Sequence, residues 1–119
     1  MYDLVIIGGG PASTAVAVYA ARKRLRSVLI TPEWGGQSNV SEDIQNWIGT
    51  PHISGDELAK SFEAHVREYA DDIIDIRVPE KVGAIKETGT SFTVVTDKQQ
   101  SYEAKAVFVG VGSRRRKLQ

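Results

Sequence analysis

Apolar and polar positions along this chain fall into two rhythms. Tyr2 to Ile7 (YDLVII) is a short, nearly continuous apolar run containing β-branched residues. Such a run marks a parallel strand buried on both faces rather than a half-exposed one. It leads into Gly8-Gly9-Gly10-Pro11. Ala12 to Lys23 is Ala-rich and apolar on most faces, which predicts a helix. Pro11 suits the first helical turn, where its missing N–H costs nothing. Lys23 and Arg24 stand where a helix C-terminus favours cations. Ser27 to Thr31 (SVLIT) is a second apolar strand. The first 31 residues thus spell strand, helix, strand with a Gly-rich first turn, and the helix makes a parallel crossover the natural connection.

Residues 32–51 show no clear period, and Gly, Ser, Asn and Pro are scattered through them. They read as a long loop with a helical turn around Glu42 to Trp47. Loops this long in compact domains are usually functional or disordered. Ser54 and Glu57 form a capping box, Ser-x-x-Glu, at the start of a helix. Leu58, Phe62, Val66 and Tyr69 share one face of it at helical spacing. Asp71 and Asp72 mark a turn before a third short strand, Ile73 to Ile76. Val82 to Glu87, Ser91 to Thr96 and Tyr102 to Val109 then read as an antiparallel meander. Val107-Phe108-Val109 is apolar enough to re-enter a buried sheet.

Composition narrows the function classes. The chain has 119 residues, with 15 Lys plus Arg against 15 Asp plus Glu. A net charge of zero argues against an electrostatically driven nucleic-acid partner. No apolar run approaches the roughly 20 residues that span a bilayer, and no basic n-region precedes the first strand, so no membrane partner or signal peptide is expected and a cytoplasmic protein is. There is no Cys, hence no thiol nucleophile, Cys-based zinc site or redox dithiol. His52 and His65 lack a ligand set with metal spacing. The serines lack a Gly-x-Ser-x-Gly context, which leaves a hydrolase triad unsupported. Arg114 to Lys117 reads as a solvated tail, with a phosphate or an acidic partner as the alternative.

Gly8-x-Gly10-x-x-Ser13 is a dinucleotide-binding fingerprint with its last Gly replaced. The first Gly allows a tight strand-to-helix turn, the second leaves room for pyrophosphate, and the third lets helix and strand pack closely. Helix-terminal N–H groups and the dipole then hold the phosphates. The fingerprint lies between a predicted strand and helix inside a strand-helix-strand unit, the context that gives it meaning. Ser13 adds a Cβ and a hydroxyl at the close-packing position. An acidic ribose ligand is expected at the end of the second strand, where Thr31 and Pro32 stand. Glu33 follows, about 20 residues past the fingerprint. It is either that ligand or a solvated loop carboxylate.

Several segments together resemble one family. Tyr2 to Ala21 resembles the N-terminal FAD motif of low-molecular-weight thioredoxin reductases. Trp34-Gly35-Gly36-Gln37 is similar to the family's Gly-Gly-Gln flavin loop. Ile44 to Gly49 resembles its Glu-Asn-Tyr-Pro-Gly segment, and Ser54 to Leu58 its Ser-Gly-x-x-Leu helix start. His65 to Asp75 is most similar to the flavoprotein subunit of alkyl hydroperoxide reductase, a member of the same family. Val107 to Ser113 sits where the family has its Ala-Thr-Gly strand end, with Val111 replacing Thr.

The resemblance implies FAD as cofactor, with each role carried over by position. Gly8, Gly10, Pro11, Ala12 and Ser13 would meet the pyrophosphate. Thr31, Pro32 and Glu33 would lie near the adenosine ribose, and Val78 would offer backbone groups to adenine. Gly36 and Gln37 would approach the ribityl chain and flavin ring, and Asn46 the isoalloxazine. Gly110 and Gly112 would close over the pyrophosphate side. Trp34 and Trp47 either flank the flavin or serve ordinary loop packing. In the family an NAD(P)H domain carrying a Cys-x-x-Cys pair is inserted near the position of Gly112, and the sequence as given stops there. The expected fold is α/β, a FAD/NAD(P)-binding, Rossmann-like three-layer arrangement with a parallel sheet and a small antiparallel β-meander. Residues 1–119 would form a single, partial FAD-binding domain. The implied function is the FAD-binding module of a flavin oxidoreductase that is not a disulfide reductase on its own. The alternative is a non-catalytic, degenerate nucleotide-binding or interaction subunit, which Ser13, Pro32 and Val111 favour. Expected partners are FAD or another adenine nucleotide, and either a second copy or a complementing subunit.

Overall fold

Successive residues of β1 (Tyr2–Ile7) point to opposite faces, and apart from Asp3 at its start both faces are apolar, so the strand needs cover on both sides. The computed structural model describes residues 1–36 and 41–111 and supplies both covers. On one face Leu4 and Ile6 pack with Leu29, Ile74 and Ile76 against α1 (Pro11–Arg22) and α2 (Gly55–Ala70). On the other face Val5 and Ile7 join Val28 and Ile30 under Val94, Tyr102 and Ala104. The same alternation runs through β2 (Ser27–Ile30), whose four residues are all buried.

The remaining strands are β3 (Ile74–Arg77), β4 (Val82–Thr88), β5 (Ser91–Thr96) and β6 (Ser101–Val109). All six belong to one sheet in the order β3-β2-β1-β6-β5-β4. β3, β2, β1 and the second half of β6 run parallel. The first half of β6 pairs antiparallel with β5, and β5 with β4. The expected meander is therefore not a separate sheet. β6 serves both, and Ala104 is paired with Phe92 on one side and Tyr2 on the other. Helices, parallel sheet and overlying meander make the three layers.

Small residues set the helix-to-sheet distance. The buried stripe of α1 is Ser13, Thr14, Ala17, Ala20 and Ala21. On α2 the stripe steps by four through Leu58, Phe62, Val66 and Ala70. Ser54 caps α2, its hydroxyl accepting from Glu57 N at 3.1 Å. Tyr69 does not share the buried face as its spacing suggested. It lies beside the stripe, 44% exposed, with its ring 5.5 Å from that of His65, and Ala70 takes the buried position. The helical turn expected around Glu42 to Trp47 is also absent. Ile44 and Ile53 exchange backbone hydrogen bonds of 2.6 and 3.1 Å, and Trp47 bridges to Thr50 around Gly49 at φ 97°. These reciprocal bonds close a small hairpin-like loop that a helical turn would preclude.

At the start of β1 the Tyr2 hydroxyl donates to Asp75 at 2.5 Å, and Arg26 donates to the same oxygen at 2.8 Å. Burial, and then the Asp75 hydrogen bond and charge, push the Tyr2 phenol up to about 12. The folded state therefore favours the protonated phenol. This contribution to stability is complete below the ordinary value near 10 and is lost as pH rises from there towards 12. Urea unfolding across that window is expected to show a steeper fall in stability for wild type than for Tyr2→Phe. Parallel pH profiles for the two would refute this assignment.

Candidate functional site

The four parallel strands end level. Ile7 is in register with Ile30 and Val109, and Ile30 with Arg77. The next residue of each strand therefore falls in one row, Val78, Thr31, Gly8 and Gly110. Backbone bonds stitch the row together: Thr31 N to Arg77 O at 3.2 Å, Gly8 N to Ile30 O at 2.9 Å, and Gly110 N to Ile7 O at 2.8 Å. Its centre is the β1/β6 boundary, where the order of strands reverses. Open α/β sheets bind ligands outside the carboxyl ends of their strands at such a point.

The three glycines of the loop have different reasons to be glycine. Gly8 is at φ 118°, and a Cβ there would lie 2.2 Å from Gly110 O. Gly9 would place a Cβ 2.5 Å from Glu33 O, and it accepts from Gly35 N at 2.8 Å. Gly10 has an ordinary φ of −86°, and the atoms nearest a Cβ there are Gly35 O at 3.8 Å and Gly36 Cα at 4.0 Å. Protein packing does not demand glycine at 10. A Cβ there would make only ordinary van der Waals contact with the Gly35-Gly36 loop.

That start is electrostatically bare. Gly10 is the N-cap, with no side-chain capping bond and no acidic residue in the first turn. Pro11 has no N–H, and the N–H groups of Ala12 and Ser13 have no acceptor within a helix. The site attracts an anion by dipole and by donors together. Pro11 and Ala12 are exposed, Ser13 fully buried. The Ser13 hydroxyl is within bonding distance of Ile7 O at 3.0 Å and Gly110 O at 3.1 Å.

Thr31 is buried, and its hydroxyl donates to Glu33 O at 2.7 Å. Glu80 N donates to Thr31 O at 3.0 Å, which brings the half-buried Val78 beside it. Pro32 and Glu33 are exposed. Gly36, at φ 55°, would carry a Cβ 3.6 Å from Gly10 Cα. The structure thus gathers Gly8, Gly10, Pro11, Ala12, Ser13, Thr31, Pro32, Glu33, Gly36, Val78 and Gly110 along one edge of the sheet. Asn46 is exposed on a loop whose contacts run to α2, through Trp47 edge-on to Phe62 at 5.3 Å and Gly55 N to Ser41 O at 2.7 Å. Trp34 packs on the helix-side core under the Arg67 guanidinium, 5.9 Å from the ring centre. Gln37, Gly112 and the basic run Arg114 to Lys117 lie outside the described residues. Sequence reasoning gave no role of their own to Gly9 and Gly35, quoted only within their motifs, and passed over Thr14, whose hydroxyl donates to Gly10 O at 2.9 Å. In a three-glycine run, spacing alone does not tell which glycine packs and which stands open.

Residues 2–119 match the family described as pyridine nucleotide-disulphide oxidoreductase. The F component of alkyl hydroperoxide reductase in Pseudomonas aeruginosa is 34% identical over 98% of this chain, which spans 22% of that relative. The F component in Escherichia coli has the same identity and coverage. Among solved structures, thioredoxin reductase from Lactococcus lactis superposes at a TM-score of 0.90 with 28% identity, over 100% of this chain and 38% of that one. Thioredoxin reductase from Streptococcus pyogenes gives 0.88 with 38% identity, over 99% and 37%. Among the described residues no helix is long and apolar enough to cross a membrane.

The glycine contacts imply a graded response. Gly9→Ala, which must displace backbone, is expected to cost about 1–3 kcal/mol. Gly10→Ala is expected to cost less than about 1 kcal/mol, the loss of a tolerated N-cap residue. Urea denaturation of the two variants checks this, and equal costs would contradict it.

Proposed function

The chain belongs to the pyridine nucleotide-disulphide oxidoreductase family, and from that premise we propose that its 119 residues are the phosphate-loop part of the FAD-binding domain of a thioredoxin-reductase-like flavoprotein oxidoreductase. The observation that carries the proposal is Gly10, glycine at a position where the protein's own packing asks for none. In this reading the pyrophosphate lies over Gly10, Pro11 and Ala12 at the bare helix terminus. Gly8, Ser13 and Gly110 stand behind it, and Gly112 is assigned to the same side by the sequence resemblance. Thr31 to Glu33 and Val78 take the adenosine end, with the Glu33 carboxylate available to ribose hydroxyls. Gly36, Gln37 and Asn46 take the ribityl and ring end. FAD, when bound, supplies a ring that accepts the two electrons of a hydride. The protein supplies position and field. With no Cys in the sequence, disulfide exchange draws its thiols from outside these 119 residues.

Calorimetry with FAD tests the proposal. Wild type is expected to bind, and Gly10→Ala to bind at least about tenfold more weakly while unfolding at nearly the same urea concentration, because a Cβ there meets ligand rather than protein. Equal affinity for the two would overturn it.

The partner reading rests on β6. From Ala106 to Val109 this strand is paired with β1 alone among the described residues, and Val109 and Val111 are 56% and 62% exposed. An open apolar edge templates strand addition. We propose that a second copy or a complementing polypeptide covers it. Sedimentation equilibrium of the 119 residues at tens of micromolar (about the range of weak dimers) is expected to show association that Val109→Lys weakens. A clean monomer for wild type would refute self-association.

A further inference from the structure

Ser13 is the one departure from the glycine fingerprint that the fold buries completely, at 0% exposure. Its hydroxyl lies 3.0 Å from Ile7 O and 3.1 Å from Gly110 O. It has one proton to donate and two carbonyls to share it. Ile7 O already accepts from Gly110 N at 2.8 Å. Gly110 is therefore held on both sides, by its N–H through β1 and by its C=O through Ser13. We propose that Ser13 is a positioning residue that clasps the end of β6 to the end of β1 and keeps the Gly110 carbonyl turned into the protein, away from the phosphates that bind beside it. The phosphate role rests on the FAD reading above; the clasp does not.

The electrostatic reason is direct. Gly110 O stands 2.2 Å from where a Gly8 Cβ would be, so it borders the loop that meets the phosphates. A carbonyl oxygen is the negative end of a dipole, and beside an anion it repels. Donation from Ser13 both fixes its direction and offsets its charge. A glycine at 13 would pack closely but could do neither. The geometric cost falls on the neighbours. Ser13 Oγ lies 2.8 Å from a Gly8 Cβ and 2.3 Å from a Gly110 Cβ. Ser13, Gly8 and Gly110 are an interlocked set in which the serine fills space that two glycines leave. The hydroxyl that looks like damage to the fingerprint is a substitute for close packing at the same junction.

The interlock can be tested without any ligand. Unfolding midpoints of Gly110→Ala, Ser13→Gly and the double variant form a mutant cycle. Gly110→Ala is expected to cost less in the Ser13→Gly background than in wild type, because its nearest clash is gone. The Phe108 ring, 2.7 Å from the added Cβ, is common to both backgrounds. Equal costs would overturn the clasp. Ser13→Ala is expected to speed amide exchange at Gly110 about tenfold by raising the population of the open strand end, and unchanged exchange would overturn the clasp as well.

FAD calorimetry tests the phosphate role. Ser13→Ala is expected to bind about fivefold more weakly, the equivalent of one neutral hydrogen bond. Val66→Ala, a destabilising change in the buried stripe of α2 outside the residues assigned to the site, is expected to leave affinity within about twofold. Loss in both would mean that Ser13 acts only through global stability and would overturn the positioning role. A wild type that binds neither FAD nor ADP would overturn the FAD reading and the phosphate role together, and the mutant cycle would then decide the clasp alone.

Discussion

A strand with two apolar faces cannot end its own exposure. β1 is such a strand, and nearly everything else in the fold answers that demand. Leu4 and Ile6 need the helix layer, Val5 and Ile7 need the meander, and one strand has to belong to both the parallel sheet and the meander for the two covers to be joined. β6 is that strand, long enough at nine residues to pair antiparallel with β5 and parallel with β1. Because β6 then runs level with β1, its end delivers Gly110 to Gly8. The meeting of these two strand ends is a by-product of burying β1.

Much of this was legible in the sequence, for reasons that can be named. YDLVII and SVLIT lack the polar alternation of one-sided strands, so burial on both faces followed directly. The capping Ser54 and the steps Leu58, Phe62 and Val66 read out α2 because helix periodicity is local. Residues 42–47 misled because a short stretch carries no information about a partner nine residues away, and Ile53 is that partner of Ile44. Tyr69 misled because a period of 3.6 gives two neighbouring positions nearly equal claim to a face, and the small Ala70 fits against the sheet.

The candidate site was legible in outline and opaque in detail. Gly8-x-Gly10-x-x-Ser13 predicted where a phosphate would sit, but not which glycine is forced by packing and which is left open. That difference depends on Glu33 O and Gly110 O, atoms contributed from elsewhere in the chain. Ser13 read as a flaw because its hydroxyl was judged against a helix packed on a strand. Its partners are two strand-end carbonyls, one of them 97 residues away. Of the two sequence alternatives, a flavoprotein segment or a degenerate relative, Ser13 speaks less for the second once its hydroxyl is seen to have two carbonyl partners inside the fold.

The distance between Ser13 and Gly110 sets a clock. Pairing β6 with β1 closes a loop across almost the whole chain, the kind of non-local contact that slows folding. At a synthesis rate of about 5–20 residues per second, the 97 residues that follow Ser13 up to Gly110 are made over roughly 5–20 seconds. For that interval the glycine loop lacks the strand end that stands against it in the folded chain. The junction of Gly8, Ser13 and Gly110 is therefore complete only once β6 has been made, late in the synthesis of these 119 residues.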